Sequence, residues 1–117
     1  MTYMLLVVEK VGDREVRSES EGRALYDRMV EFSAGLKERD LLTLAQSLKS
    51  DAVGLRVTKR GEKSTVRDGP FAEAKEMIGG FFLLAGATRA QAIEIAQQCP
   101  AAEWATIEVR ELGPCFE

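Results

Sequence analysis

The sequence contains no histidine. That absence excludes a Ser-His-Asp triad, a Cys-His pair, a histidine-ligated haem and the usual zinc sites. Acid–base work near neutral pH would fall to a carboxylate, lysine, tyrosine or cysteine with a shifted pKa. Cysteine is scarce too: Cys99 and Cys115 are the only two, too few for a disulfide framework. No apolar run approaches the roughly 18 residues of a membrane span. Met1 to Lys10 has no basic stretch ahead of its apolar residues and no small-residue cleavage site. It is expected to be a strand rather than a signal peptide, which places the chain in the cytoplasm with both thiols reduced. The net charge of −3 is spread along the chain rather than clustered. A nucleic-acid-binding face, which needs grouped Lys and Arg, is therefore not expected. Nothing in the pattern implies a cofactor or a metal.

What is present fits one domain over residues 1–117, with 45% hydrophobic and 30% charged residues supporting a single modest core. Tyr3 to Glu9 is short, continuously apolar and β-branched at its end, the pattern of a strand buried on both faces. Residues 10–20 are polar and contain Gly12-Asp13, a loop. From Glu21 to Arg39, Leu25, Met29, Phe32 and Leu36 recur on one helical face, and Ser18 with Glu21 forms a capping box. Gly35 interrupts that helix at a cost of about 1 kcal/mol, a loss that close packing on a sheet would explain. Leu41 to Leu48 reads as a second strand. Val53, Leu55 and Val57 alternate with smaller or polar residues as in a half-buried strand. After a turn at residues 60–63, Ser64 to Arg67 returns as its hairpin partner. Asp68-Gly69-Pro70 then stops regular pairing. Met77 to Gly86 is again apolar on both sides. Thr88 and Gln91 form a second capping box, and Ala92, Ile93, Ala96 and Cys99 supply the inward stripe of a helix that Pro100 ends. Ala105, Ile107 and Val109 alternate in a last half-buried strand.

Strand–helix–strand, hairpin, strand–helix–strand predicts an α+β domain of ferredoxin-like, split βαβ topology with residues 53–67 as an inserted hairpin. The two strands apolar on both faces then occupy the sheet centre. Two helices cover one sheet face and leave the other bare, and an apolar patch of more than a few hundred Å² rarely stays exposed on a monomer. A homodimer or higher homo-oligomer is expected, with sheets packed face to face or extended edge to edge.

Residues 67–82 read RDGPFAEAKEMIGGFF. The stretch resembles the signature of the YCII-related family, one subgroup of which is named for the DGPF tetrapeptide. The opening Tyr3-Met4-Leu5-Leu6, the hairpin from Leu55-Arg56-Val57 to Ser64-Thr65-Val66, and the close from Cys99-Pro100 to Ile107-Glu108-Val109-Arg110 are similar as well. The resemblance spans nearly the whole chain. It implies a ferredoxin-like domain that dimerises as an α+β barrel with a cleft between sheet and loops. Relatives are widespread in bacteria, some linked to extracytoplasmic-function sigma factors. A His–Asp pair has been proposed as catalytic in the wider family; this chain has no histidine to fill it.

Asp68 heads the candidate site residues. Buried near Phe71, its carboxyl pKa would rise and it would shuttle protons; Asp is also an ordinary turn starter. Lys75 and Glu76 are candidate catalytic partners, weighed against a solvated charge cluster to which Glu73 is assigned. Arg67, Gly69, Pro70, Phe71 and Arg110 are the expected ligand contacts. Arg56, Lys59, Arg60, Lys63 and Arg67 group on the hairpin, where they attract an anion or simply keep an edge soluble. Gly79-Gly80 lacks the Lys-Ser/Thr of a phosphate loop and fits a bulge or close backbone approach better. Trp104 is read as core, interface or cleft rim. Two functions stand open: a small-ligand-binding or accessory module, and, second, an enzyme using carboxylate-assisted proton transfer with Asp68 as base and Lys75 or Arg110 assisting.

Overall fold

A computed structural model describes residues 1–117. The elements run β1 (Tyr3–Lys10), α1 (Glu19–Glu38), β2 (Leu42–Ser47), β3 (Leu55–Arg60), β4 (Lys63–Asp68), β5 (Glu76–Leu84), α2 (Arg89–Gln98) and β6 (Thr106–Glu111). Both capping boxes form. Ser18 Oγ accepts from Glu21 N–H at 3.1 Å, and Thr88 Oγ1 accepts from Gln91 N–H at 3.1 Å, with each side chain at the third helical position reaching back. Each box satisfies two otherwise orphaned N–H groups.

Four strands make one antiparallel sheet in the order β2-β5-β1-β6. β1 and β2 both run antiparallel to β5, so they are parallel to each other with β5 between them. β5 and β6 stand in the same relation across β1. This α+β arrangement is compatible with the ferredoxin-like topology. The two strands apolar on both faces, β1 and β5, lie at the sheet centre, each flanked by a strand at either edge.

Tyr3, Leu5 and Val7 of β1 with Phe82 and Leu84 of β5 point toward the helices and form the core with Leu36, Ala92, Ile95, Ala96 and Cys99. Phe32 meets Phe82 edge-to-face at 5.6 Å. Leu5 and Leu84 are fully buried, and truncating either to Ala would cost about 2–5 kcal/mol. The inward stripe of α2 includes Ile95 rather than Ile93, which is only half-buried. On the opposite face Met4, Leu6, Val8, Phe81 and Leu83 are half-buried and Leu44 and Ile78 exposed, with no helix over them.

The inserted hairpin departs from the expected half-buried strand. Val53 belongs to a short 3-10 turn (Asp51–Val53), and every residue of β3 and β4 is exposed. Alternating Leu55 and Val57, with Val66 opposite Val57, signals a surface meant to be covered, but this chain does not cover it. The hairpin forms its own two-stranded sheet and stands away from the main one. The radius of gyration is accordingly 16.0 Å, against about 13.5 Å for a compact chain of this length. Gly35 also departs from expectation: no atom lies within 4 Å of where its Cβ would sit, so sheet packing does not require it.

Candidate functional site

A hollow of about 530 Å³ lies between α1 and the β2–β5 side of the sheet. Leu25, Met29 and Val30 of α1 line one wall, and Leu42, Ala45 and Phe82 line the other. α1 packs tightly at its C-terminal end, where Leu36 is buried, and more loosely toward its start, where Leu25 and Met29 remain half-buried. The cleft is the space this leaves.

One end is charged. Glu9 ends the buried face of β1 and is only 8% exposed. Arg14, from the β1–α1 loop, grips its carboxylate with two hydrogen bonds: Nε to Oε1 at 2.6 Å and Nη2 to Oε2 at 3.1 Å. Arg14 also donates Nη1 to the Leu48 carbonyl at 2.8 Å and Nη2 to the Gly79 carbonyl at 3.4 Å. One guanidinium thus ties the end of β1 to the end of β2 and the bulge in β5. A buried carboxylate needs such a partner, since an unpaired one would pay several kcal/mol in desolvation.

Gly79-Gly80 is the bulge and the close approach together. The β1–β5 register slips between Val7, opposite Gly80, and Val8, opposite Ile78, leaving Gly79 unpaired. A Cβ on Gly79 would overlap the Glu9 carboxylate, and one on Gly80 would come 2.8 Å from the Gln46 carbonyl oxygen. Arg17 and Lys37 line the cleft as well, and neither takes part in an ion pair. Trp104 lies in the lining under Arg28, whose guanidinium carbon is 5.5 Å from the ring centroid. Glu103 hydrogen-bonds Arg28, which lowers the Glu103 carboxyl pKa and raises that of Arg28.

The residues singled out from the sequence lie elsewhere. Asp68, at the end of β4, is exposed and does not line the cleft, so the burial near Phe71 expected of it is absent. Its backbone pairs with Leu55, closing the hairpin base. Gly69 N–H donates to the Gly54 carbonyl at 2.8 Å, and a Cβ on Gly69 would overlap the Asp51 carbonyl oxygen, which is why glycine stands there. The Gly69–Pro70 bond is cis, and Pro70 is exposed. Phe71 is buried beneath two guanidinium groups, Arg56 at 3.9 Å and Arg67 at 5.3 Å from its ring centroid. Glu73 bridges both arginines, and the hydrogen bond from Arg67 is the main cause holding its carboxyl below the usual range. Arg56, Arg67, Phe71 and Glu73 are therefore a clasp at the hairpin base. Lys75 accepts a bond from Val11 N–H at its carbonyl, and its side chain is exposed. Glu76 pairs across the sheet with Lys10 and lines a smaller hollow of about 240 Å³. Arg110 pairs with Glu108 at 3.1 Å on the bare sheet face.

Sequence reasoning passed over Glu9 and Arg14. A charge at the end of an apolar strand looks like its solvated end. Gly79-Gly80 carried the one available signal, since two small residues in a central strand announce something bulky beside them.

The YCII-related domain model matches residues 1–115. The chain belongs to the YCII-related family. In this YCII-related chain, the DGPF segment that carried the resemblance is the hairpin clasp, and the cleft is a separate feature under α1. A comparison with curated proteins returns no match. No helix is long and apolar enough to cross a membrane.

Proposed function

We propose that this YCII-related protein is a small-ligand-binding module whose site is the cleft between α1 and β2. The cleft itself carries the reading. Its volume of about 530 Å³ falls inside the range of small-molecule sites, about 300–1,000 Å³, and apolar walls with a few fixed polar groups at one end are their usual make-up. Proton transfer has less support. Asp68 is solvated and outside the cleft, and Glu9, the carboxylate inside it, is engaged by Arg14.

Gly22 offers a clean test. It lines the cleft, and nothing lies within 4 Å of its missing Cβ, so a leucine there starts into open space and takes up room in the cleft. Fragments found by thermal shift on the wild-type protein should lose their effect on Gly22→Leu. Fragments that stabilise both proteins equally would put the site elsewhere.

The module is further proposed to work as a homodimer of the α+β-barrel type, with a second copy over the bare face of Met4, Leu6, Val8, Phe81 and Leu83. The projecting hairpin supports this, because a two-stranded ribbon is marginal alone and its Leu55, Val57 and Val66 need a surface to cover. Sedimentation equilibrium should give twice the 12.9 kDa chain mass, and Leu6→Lys should reduce it to one chain. A wild-type monomer would remove this part.

A further inference from the structure

The protein as a whole is acidic, with a net charge of −3, yet its cleft is not. The charged side chains in the lining are Glu9, Arg14, Arg17 and Lys37. Glu9 and Arg14 neutralise each other through their paired hydrogen bonds. Two positive charges, Arg17 and Lys37, are left without a carboxylate in the lining to answer them. Glu21, outside the lining, is exposed; its Oε1 accepts from the Ser18 N–H of the helix cap, and its carboxyl pKa is lowered chiefly by that bond and less by the charge of Arg17. Between the two cations the walls are Leu25, Met29, Val30, Leu42, Ala45 and Phe82.

A concave, low-dielectric wall focuses the field of the charges set in it and concentrates ions of the opposite sign. A cation at the rim of an apolar trough selects a molecule with one anionic end and an apolar body. A polyanion would leave charge stranded against Met29 and Leu42, where burying it is costly. A cationic amphiphile would meet Arg17 and Lys37 directly.

Resting on the reading of the cleft as a ligand site, we propose that its ligand is an amphipathic organic monoanion, an apolar body ending in a carboxylate or similar oxyanion, whose charge is met by Arg17 at one end of α1 or by Lys37 at the other. The apolar body lies along α1 and the head group meets a guanidinium or ammonium donor at the rim.

Trp104 is the only tryptophan and lines both the cleft and the smaller hollow, so its emission reports occupancy, and loss of the signal in Gly22→Leu assigns it to the cleft. Octanoate, octanol and octylamine share a chain and differ in charge, which makes them the probes. Octanoate should bind at least about tenfold more tightly than octanol, the worth of one hydrogen bond to a charged group, and octylamine more weakly than either. In Arg17→Gln/Lys37→Gln the advantage of octanoate over octanol should vanish while octanol binding stays as it was. Lys49→Gln, an exposed lysine outside the lining, should change neither. Octanol binding as well as octanoate overturns the anion preference and leaves the cleft standing as an apolar site, and an advantage for octanoate that survives the double variant overturns its assignment to Arg17 and Lys37. Failure of all three probes to shift Trp104 emission overturns the cleft reading and this inference with it.

Discussion

Gly79→Ala should be far more damaging than a methyl group in a strand has any right to be, and removing a carboxylate should cure it. The new Cβ would overlap the Glu9 carboxylate and lie 2.9 Å from Arg14 Nη2. Glu9 cannot swing aside without leaving Arg14, because its side chain is only 9% exposed. Breaking a buried pair costs about 3–5 kcal/mol. Arg14 is 31% exposed, and water recovers part of that loss, so about 2–3 kcal/mol is the reasonable figure. In a Glu9→Ala background the carboxylate overlap is gone and the Arg14 guanidinium, the released far end of a flexible side chain, can yield from its 2.9 Å contact, so Ala at 79 should be neutral or better by about 0.5–1 kcal/mol, its ordinary advantage over glycine in a strand. The double-mutant cycle should therefore show about 2–3 kcal/mol of coupling, where independent sites agree within about 0.5 kcal/mol. Urea denaturation of the four proteins measures it, at one protein concentration so that association contributes equally. An equal cost for Gly79→Ala in both backgrounds would refute the packing of glycine against the ion pair.

Three further outcomes follow from the same coordinates. Gly35→Ala should stabilise by about 0.5–1 kcal/mol in urea melts, since the helix gains propensity and the new methyl meets nothing; destabilisation would mean that something covers that face. Glu21, Glu73 and Glu103 all have carboxyl pKa values lowered from 4.5, so their contribution is present above the unfolded value and lost as pH falls through the lower folded ones. The melting temperature should hold from about pH 7 to 5.5 and drop below about 4.5, and Glu73→Gln should flatten that drop; an unchanged acid limb in Glu73→Gln would contradict the clasp's share in it. Burial raises the pKa of the Cys99 thiol and leaves it 2% exposed, whereas Cys115 is exposed. A thiol reagent should label Cys115 at once and Cys99 only in denaturant; equal native rates would contradict the buried placement.

Much of the fold was legible in the sequence, because each signal was local or periodic. Ser18 with Glu21 and Thr88 with Gln91 marked both helix starts, and the two strands without a polar face fixed the sheet centre. The hairpin was found but its burial was not. Alternating Leu55 and Val57 looks the same whether the covering surface belongs to this chain or to another. On α2, Ile93 and Ile95 are equally apolar, and only the angle at which the helix meets β1 and β6 decides that Ile95 turns inward. The site was less legible still. The DGPF segment drew attention through its family resemblance and proved to be a clasp of Arg56, Arg67, Phe71 and Glu73. The cleft is built from residues distant in sequence: Glu9, Arg14, Leu42 and Gly79 meet only once the sheet is assembled.

The most direct measurement is an isotope-filtered NOE experiment on labelled protein with octanoate bound. Methylene protons of the ligand should show contacts to the side chains of Met29 and Leu42, inside the cleft. Contacts to Met4, Leu6 and Leu83, on the bare face of the sheet, would contradict the placement of the ligand site under α1.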